Sequence, residues 1–74
     1  MQWMIYGANG YTGELIAREA VRRGLAPVLA GRSTAKLQPL ADELGLPLRA
    51  YALDDAAAVR RGLDGIGLVL HCAG

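Results

Sequence analysis

Three glycines stand at three-residue intervals in the stretch YGANGYTGEL, residues 6–15: Gly7, Gly10 and Gly13. What they can do depends on their flanks. Before them, QWMIY (residues 2–6) is a short apolar run of the kind that forms a buried strand, and after them YTGELIAREAVRRG has helical periodicity. A glycine turn between a strand and a helix suits a pyrophosphate. The early glycines permit a tight turn and close backbone approach, and the last lets the helix pack on the strand. The helix N-terminus then offers unpaired N–H groups and the positive end of its dipole. Thr12 adds a hydroxyl donor. The candidate phosphate-binding set is Gly7, Asn9, Gly10, Tyr11, Thr12 and Gly13.

The spacing is GxxGxxG rather than GxGxxG, the variant of extended short-chain-type reductases and their relatives; glycine turns of this kind also serve purely structural ends. The second strand bears on which dinucleotide would fit. An NAD site usually carries Asp or Glu there to accept from the adenine ribose hydroxyls. Here AGRSTAK offers Arg32, Ser33 and Lys36 and no carboxylate. A guanidinium can hold a 2′-phosphate with paired, charge-assisted hydrogen bonds, so the pattern favours NADP. The competing reading leaves Arg32 as a solvated loop arginine. Asp54, after the third strand, can accept from an adenine amino group, or Asp54 or Asp55 simply caps the next helix. Cys72, Ala73 and Gly74 end the fourth strand with small residues beside the glycine loop, leaving room for the adenosine side of a cofactor. His71 and Cys72 point to opposite faces and lack a second ligand at a useful spacing, so packing is the expectation for both. Trp3 and Tyr51 also read as packing residues.

These positions need a scaffold. The first helical segment places Gly13, Ile16, Ala17, Ala20 and Gly24 on one face, and Ala26–Gly31 reads as a second strand. Leu37, Leu40, Ala41 and Leu44 form the stripe of a second helix that stops at Gly45. Pro39 leaves its start open between Gln38 and an irregular first turn over residues 34–38. LPLRAYAL, residues 46–53, is a weaker third strand. Asp55 caps a helix over Ala56–Leu63, with Ala56, Val59 and Leu63 on one side, and IGLVLHCAG, residues 66–74, is a fourth strand. Strands alternating with helices predict an α/β Rossmann-like parallel sheet, β-α-β-α-β-α-β, in strand order 3-2-1-4, the first half of a dinucleotide-binding domain.

The chain of 74 residues has room for one small domain, burying only a little over ~60% of its unfolded surface. A net charge of +1 makes no electrostatic case for nucleic acid or an anionic membrane surface, and no apolar run approaches the ~20 residues of a membrane span. One cysteine excludes an internal disulfide and fits a reducing, cytoplasmic setting. Arg22, Arg23, Arg60 and Arg61 read as solvated helix charges, with Glu14–Arg18 and Glu19–Arg23 pairs at i, i+4.

Taken together, MIYGANGYTGELIAREAVRRGLAPVLAGRSTAKLQPLADELGLP, then LDD and VLHCAG, resembles the start of saccharopine dehydrogenase-like proteins, a group that includes bacterial trans-acting enoyl reductases. The GxxGYTG loop and LAGR are its most specific elements, and Asn9 stands where Thr is frequent. The resemblance implies an N-terminal NADP(H)-binding domain, with Gly7, Gly10, Tyr11, Thr12 and Gly13 on the pyrophosphate and Arg32 on the 2′-phosphate. It also implies a larger C-terminal region shaping the substrate site, so a truncated domain or fragment of a longer oxidoreductase is expected, without catalytic residues of its own. Tyr11 and Leu15 would then contact the absent part, and the unpaired edge of the fourth strand would invite self-association. Alternatives are a non-catalytic dinucleotide-sensing regulator and a structural fragment without useful nucleotide affinity.

Overall fold

A computed structural model describes residues 2–72. The chain alternates strand and helix throughout: β1 (Gln2–Tyr6), α1 (Tyr11–Arg22), β2 (Val28–Gly31), α2 (Thr34–Leu44), β3 (Leu48–Ala50), α3 (Ala56–Gly62) and β4 (Ile66–His71). The four strands form one parallel sheet in the order β3-β2-β1-β4. Each parallel neighbour is reached by a helical crossover, as two parallel strands require.

Alternate residues of the central strands feed two cores. Ile5 and Leu29 meet Ala17 of α1 and Leu37, Leu40 and Ala41 of α2 on one face. Met4, Tyr6, Val28 and Ala30 meet Tyr51 and, from α3, Ala58 and Val59 on the other. The sheet is therefore sandwiched, with α1 and α2 on one side and α3 on the opposite side. The stripe of α1 is made of small residues, and Gly13, Ala17 and Ala20 are its buried positions. A Cβ on Gly62 would lie 2.3 Å from the Tyr51 ring, so α3 also approaches its neighbours closely.

Several boundaries differ from the sequence reading. α2 begins at Thr34, with Ser33 as its N-cap, and runs through Pro39. Proline removes one helical hydrogen bond, but the cap and the buried stripe Leu37, Leu40 and Ala41 hold the helix across it. β3 shrinks to three residues, and β2 starts at Val28. On α3 the packed residues are Ala58 and Val59, while Ala56 is exposed. Asp55 is the cap: its Oδ1 accepts from the Ala58 N–H at 3.1 Å. β4 ends at His71, and Ala73 and Gly74 lie outside the described residues.

Candidate functional site

The glycine loop crosses from β1 to α1 over the end of β2. The N–H groups of Gly7 and Ala8 both donate to the Ala30 carbonyl, at 2.8 and 3.2 Å, and Gly10 N–H closes the turn on the Gly7 carbonyl at 3.0 Å. Gly7 sits at φ 86, in the left-handed region where side chains are strained. Gly13 is required by contact: a Cβ there would lie 2.3 Å from the Gly7 carbonyl oxygen and 2.8 Å from Ala8 Cα. Gly13 is thus buried behind the loop and sets its shape instead of lining the space in front. Gly10 precedes α1 without a side chain to cap it, leaving the first turn of that helix available to an anion.

In front of the loop is a cavity of about 640 Å³. Gly7, Asn9, Gly10, Tyr11 and Thr12 form one wall, and Arg32, Ser33 and Lys36 form another. Tyr6 and Gly31 contribute the ends of the two central strands, β1 and β2, and Cys72 follows the end of β4. The lining carries two cationic side chains and no carboxylate. Among the described residues neither Arg32 nor Lys36 forms an ion pair, whereas Arg18, Arg22 and Arg23 are all tied to glutamates. Ser33 Oγ accepts from the Lys36 N–H at 3.3 Å, which leaves its own hydroxyl proton free to donate. The close fit of Gly31 adds to the cradle, because a Cβ there would lie 3.0 Å from Asn9 Oδ1.

A second lobe of about 330 Å³ opens on the α3 side. It shares Tyr6 and Arg32 with the first and adds Leu53, Asp54 and His71. Since Asp55 caps α3, the Asp54 carboxylate is left to the lobe. His71 and Cys72 do face opposite sides of the sheet: Cys72 packs with the α1–α2 core and lines the first lobe, His71 the second. Tyr6 divides the two lobes and is firmly held. Its hydroxyl donates to the Tyr51 carbonyl at 2.8 Å, and the Tyr51 hydroxyl donates to Met4 Sδ at 3.1 Å. Burial, then the neighbouring Tyr6, pushes the Tyr51 phenol above its usual range, so it remains a donor.

The structure places Gly7, Asn9, Gly10, Tyr11, Thr12, Arg32, Ser33, Lys36 and Cys72, all named from the sequence, around one cavity, with Asp54 in the adjoining lobe. Tyr6, Gly31, Leu53 and His71 also line the two lobes and were not among the site residues named from the sequence. Tyr6, Gly31 and His71 end strands at the rim where such sheets bind ligands, which is the signal that could have found them. Among the described residues no group of three His, Cys, Asp or Glu could hold a metal ion, and no helix is long and apolar enough to cross a membrane.

Parallel order β3-β2-β1-β4 with a glycine turn after β1 defines a Rossmann-like α/β fold. Solved structures share it. A putative short-chain oxidoreductase from Thermus thermophilus superposes with a TM-score of 0.86 at 31% identity, over 100% of this chain and 37% of that one. A nucleoside-diphosphate-sugar epimerase from Pseudomonas aeruginosa gives 0.83 at 29%, over 97% of this chain and 24% of that one. A serine dehydrogenase from Escherichia coli gives 0.77 at 30%, over 90% and 32%. The similar folds therefore belong to oxidoreductases and an epimerase, and this chain spans between 24% and 37% of their lengths. No protein-family model and no curated protein matches the sequence.

Proposed function

We propose that this chain is the NADP(H)-binding segment of a saccharopine dehydrogenase-like oxidoreductase in a cytoplasmic setting. The observation that carries the cofactor is the composition of the first lobe: Arg32, Ser33 and Lys36 face the glycine loop across one cavity without a carboxylate. Gly7, Asn9, Gly10, Tyr11 and Thr12 would receive the pyrophosphate, with Gly13 holding the loop in shape. Arg32 and Lys36 would neutralise a 2′-phosphate, to which Ser33 donates, and a guanidinium suits that group better than any carboxylate would. Asp54 would accept from the adenine amino group in the second lobe, and Cys72 would border the adenosine. The cofactor supplies hydride chemistry when bound. The family assignment rests on GANGYTG and LAGR, and on that reading the hydride passes to or from an imine or enoyl-type substrate. No residue of this chain is assigned a catalytic role.

The test is a titration of the 74-residue chain with 2′-phospho-AMP and with AMP at fixed ionic strength, repeated on Arg32→Ala. The 2′-phosphate should tighten binding by about tenfold or more, the scale of a charge-assisted hydrogen bond, and Arg32→Ala should erase that preference. Equal affinities in the parent chain would overturn the NADP assignment.

A further inference from the structure

The second lobe contains an imidazole that packs on only one of its two faces. His71 pairs in register with Tyr6 across β1 and β4, and its imidazole stacks on the Tyr6 ring with centroids 5.5 Å apart and planes at 23°. Tyr6 is only 2% exposed and is itself braced by Tyr51, whose ring centroid lies 5.1 Å away at a 55° tilt. His71, like the rest of β4 after Ile66, is exposed. One face of the imidazole therefore rests on a fixed aromatic platform, and the other is open towards the lobe. Around that open face stand the apolar side chain of Leu53, half-exposed at 51%, and the Asp54 carboxylate. An apolar flank, a flat ring and one acceptor are what a planar heteroaromatic base carrying an amino group can use.

We infer that His71 is a binding residue for the base of the bound nucleotide, stacking a purine as the next ring on the Tyr6–His71 column while Asp54 accepts from its amino group. The inference rests on the nucleotide reading above. It assigns the base and the phosphates to different side chains. His71 reads the base from the α3 side of the sheet, and Arg32, Ser33 and Lys36 read the phosphate from the ends of β2 and α2. Stacking needs only a π-face, so a phenyl ring at this position should serve almost as well as the imidazole.

Three ligands and three chains test it: AMP, 2′-phospho-AMP and ribose 5-phosphate, each titrated into the parent chain, His71→Ala and His71→Phe. His71→Ala should weaken AMP and 2′-phospho-AMP by the same factor, about thirtyfold, the middle of the range for one stacked base. Ribose 5-phosphate, which has no base, should bind all three chains alike, and His71→Phe should restore AMP to within about threefold of the parent. AMP affinity unchanged in His71→Ala would overturn the inference. So would an equal loss for ribose 5-phosphate, because His71 would then be supporting the shape of the crevice. The two readings fail separately. A parent chain that binds AMP through His71 but ignores the 2′-phosphate loses the NADP assignment alone, whereas a 2′-phosphate preference with no His71 dependence loses this inference alone. A parent chain that binds none of the three ligands loses both.

Discussion

β3 and β4 both form edges of the sheet, and only β3 is protected. It has three residues, follows Pro47 and carries Arg49, whose guanidinium donates to the carbonyls of Gly62 and Asp64 at 2.9 and 2.6 Å. Short length, proline and charge are the usual means of blunting an edge. β4 has none of them. Its six residues, IGLVLH, leave Leu68, Val69 and Leu70 exposed at 58%, 38% and 40%. Those three are in register with Trp3, Met4 and Ile5 of β1, of which Met4 and Ile5 are wholly buried. Hydrophobicity is similar in the two rows; helix cover is not. An apolar strand becomes core only where something lies over it, and β4 beyond its first residue is exposed.

The largest effect should come from comparing the same truncation in the two rows. Leu29→Ala, in the helix-covered core, should lower unfolding free energy by about 2–5 kcal/mol, a large share of the roughly 4–11 kcal/mol expected for a chain of this size. Leu70→Ala should change it by about 0.5 kcal/mol or less. Urea unfolding of both variants decides the matter; equal losses would mean that β4 is covered in solution.

The free edge of β4 can be taken by a second copy. We propose that two β4 edges pair through their free main-chain groups, with Leu68, Val69 and Leu70 flanking the junction. Light scattering should then show concentration-dependent association that Val69→Lys suppresses, since a charge on an edge strand opposes pairing. A parent chain that stays monomeric at every concentration removes the proposal and leaves β4 open.

The smallest effect belongs to the helices. Hydrogen bonds from Arg22 and then Arg23 hold the Glu19 carboxyl down at about 2, from 4.5. Arg18, bonded to Glu43 and to Glu14, likewise keeps the Glu43 carboxyl below its usual range and links α1 to α2. A depressed folded value means that this support is complete above about 4.5 and fades as pH falls towards about 2. All these groups are exposed, so the contribution is small and screened by salt. Glu19→Gln should flatten the decline in thermal midpoint across that window at low ionic strength. An unchanged acid profile would show that the ion pairs contribute nothing, and β4, which carries no carboxylate, should be insensitive throughout.

Much of this was legible in the chain because it is local. Gly7 and Gly13 announce a turn that needs freedom and contact, and Gln2–Tyr6 came out with its observed bounds because a short apolar run ending at glycine has few alternatives. The stripe Leu37, Leu40 and Ala41 was equally plain, although Pro39 obscured the start of its helix: a proline's local penalty is visible in sequence, and the burial that outweighs it is not. The site was half legible. Arg32, Ser33 and Lys36 are near one another along the chain, so their grouping needed no fold. Tyr6 and His71 are far apart in sequence and meet only through the β1–β4 register, so their stack could not be read from the chain.

The order of strands and helices, the glycine turn and the cationic end of β2 were set by the amino-acid sequence itself, since periodicity, turn chemistry and charge are properties of neighbours. The cavity shared by the glycine loop and Arg32, the Tyr6–His71 column and the contrast between buried β1 and exposed β4 were decided by tertiary structure. Each depends on which strand lies beside which, and parallel pairing joins residues that the chain keeps dozens of positions apart.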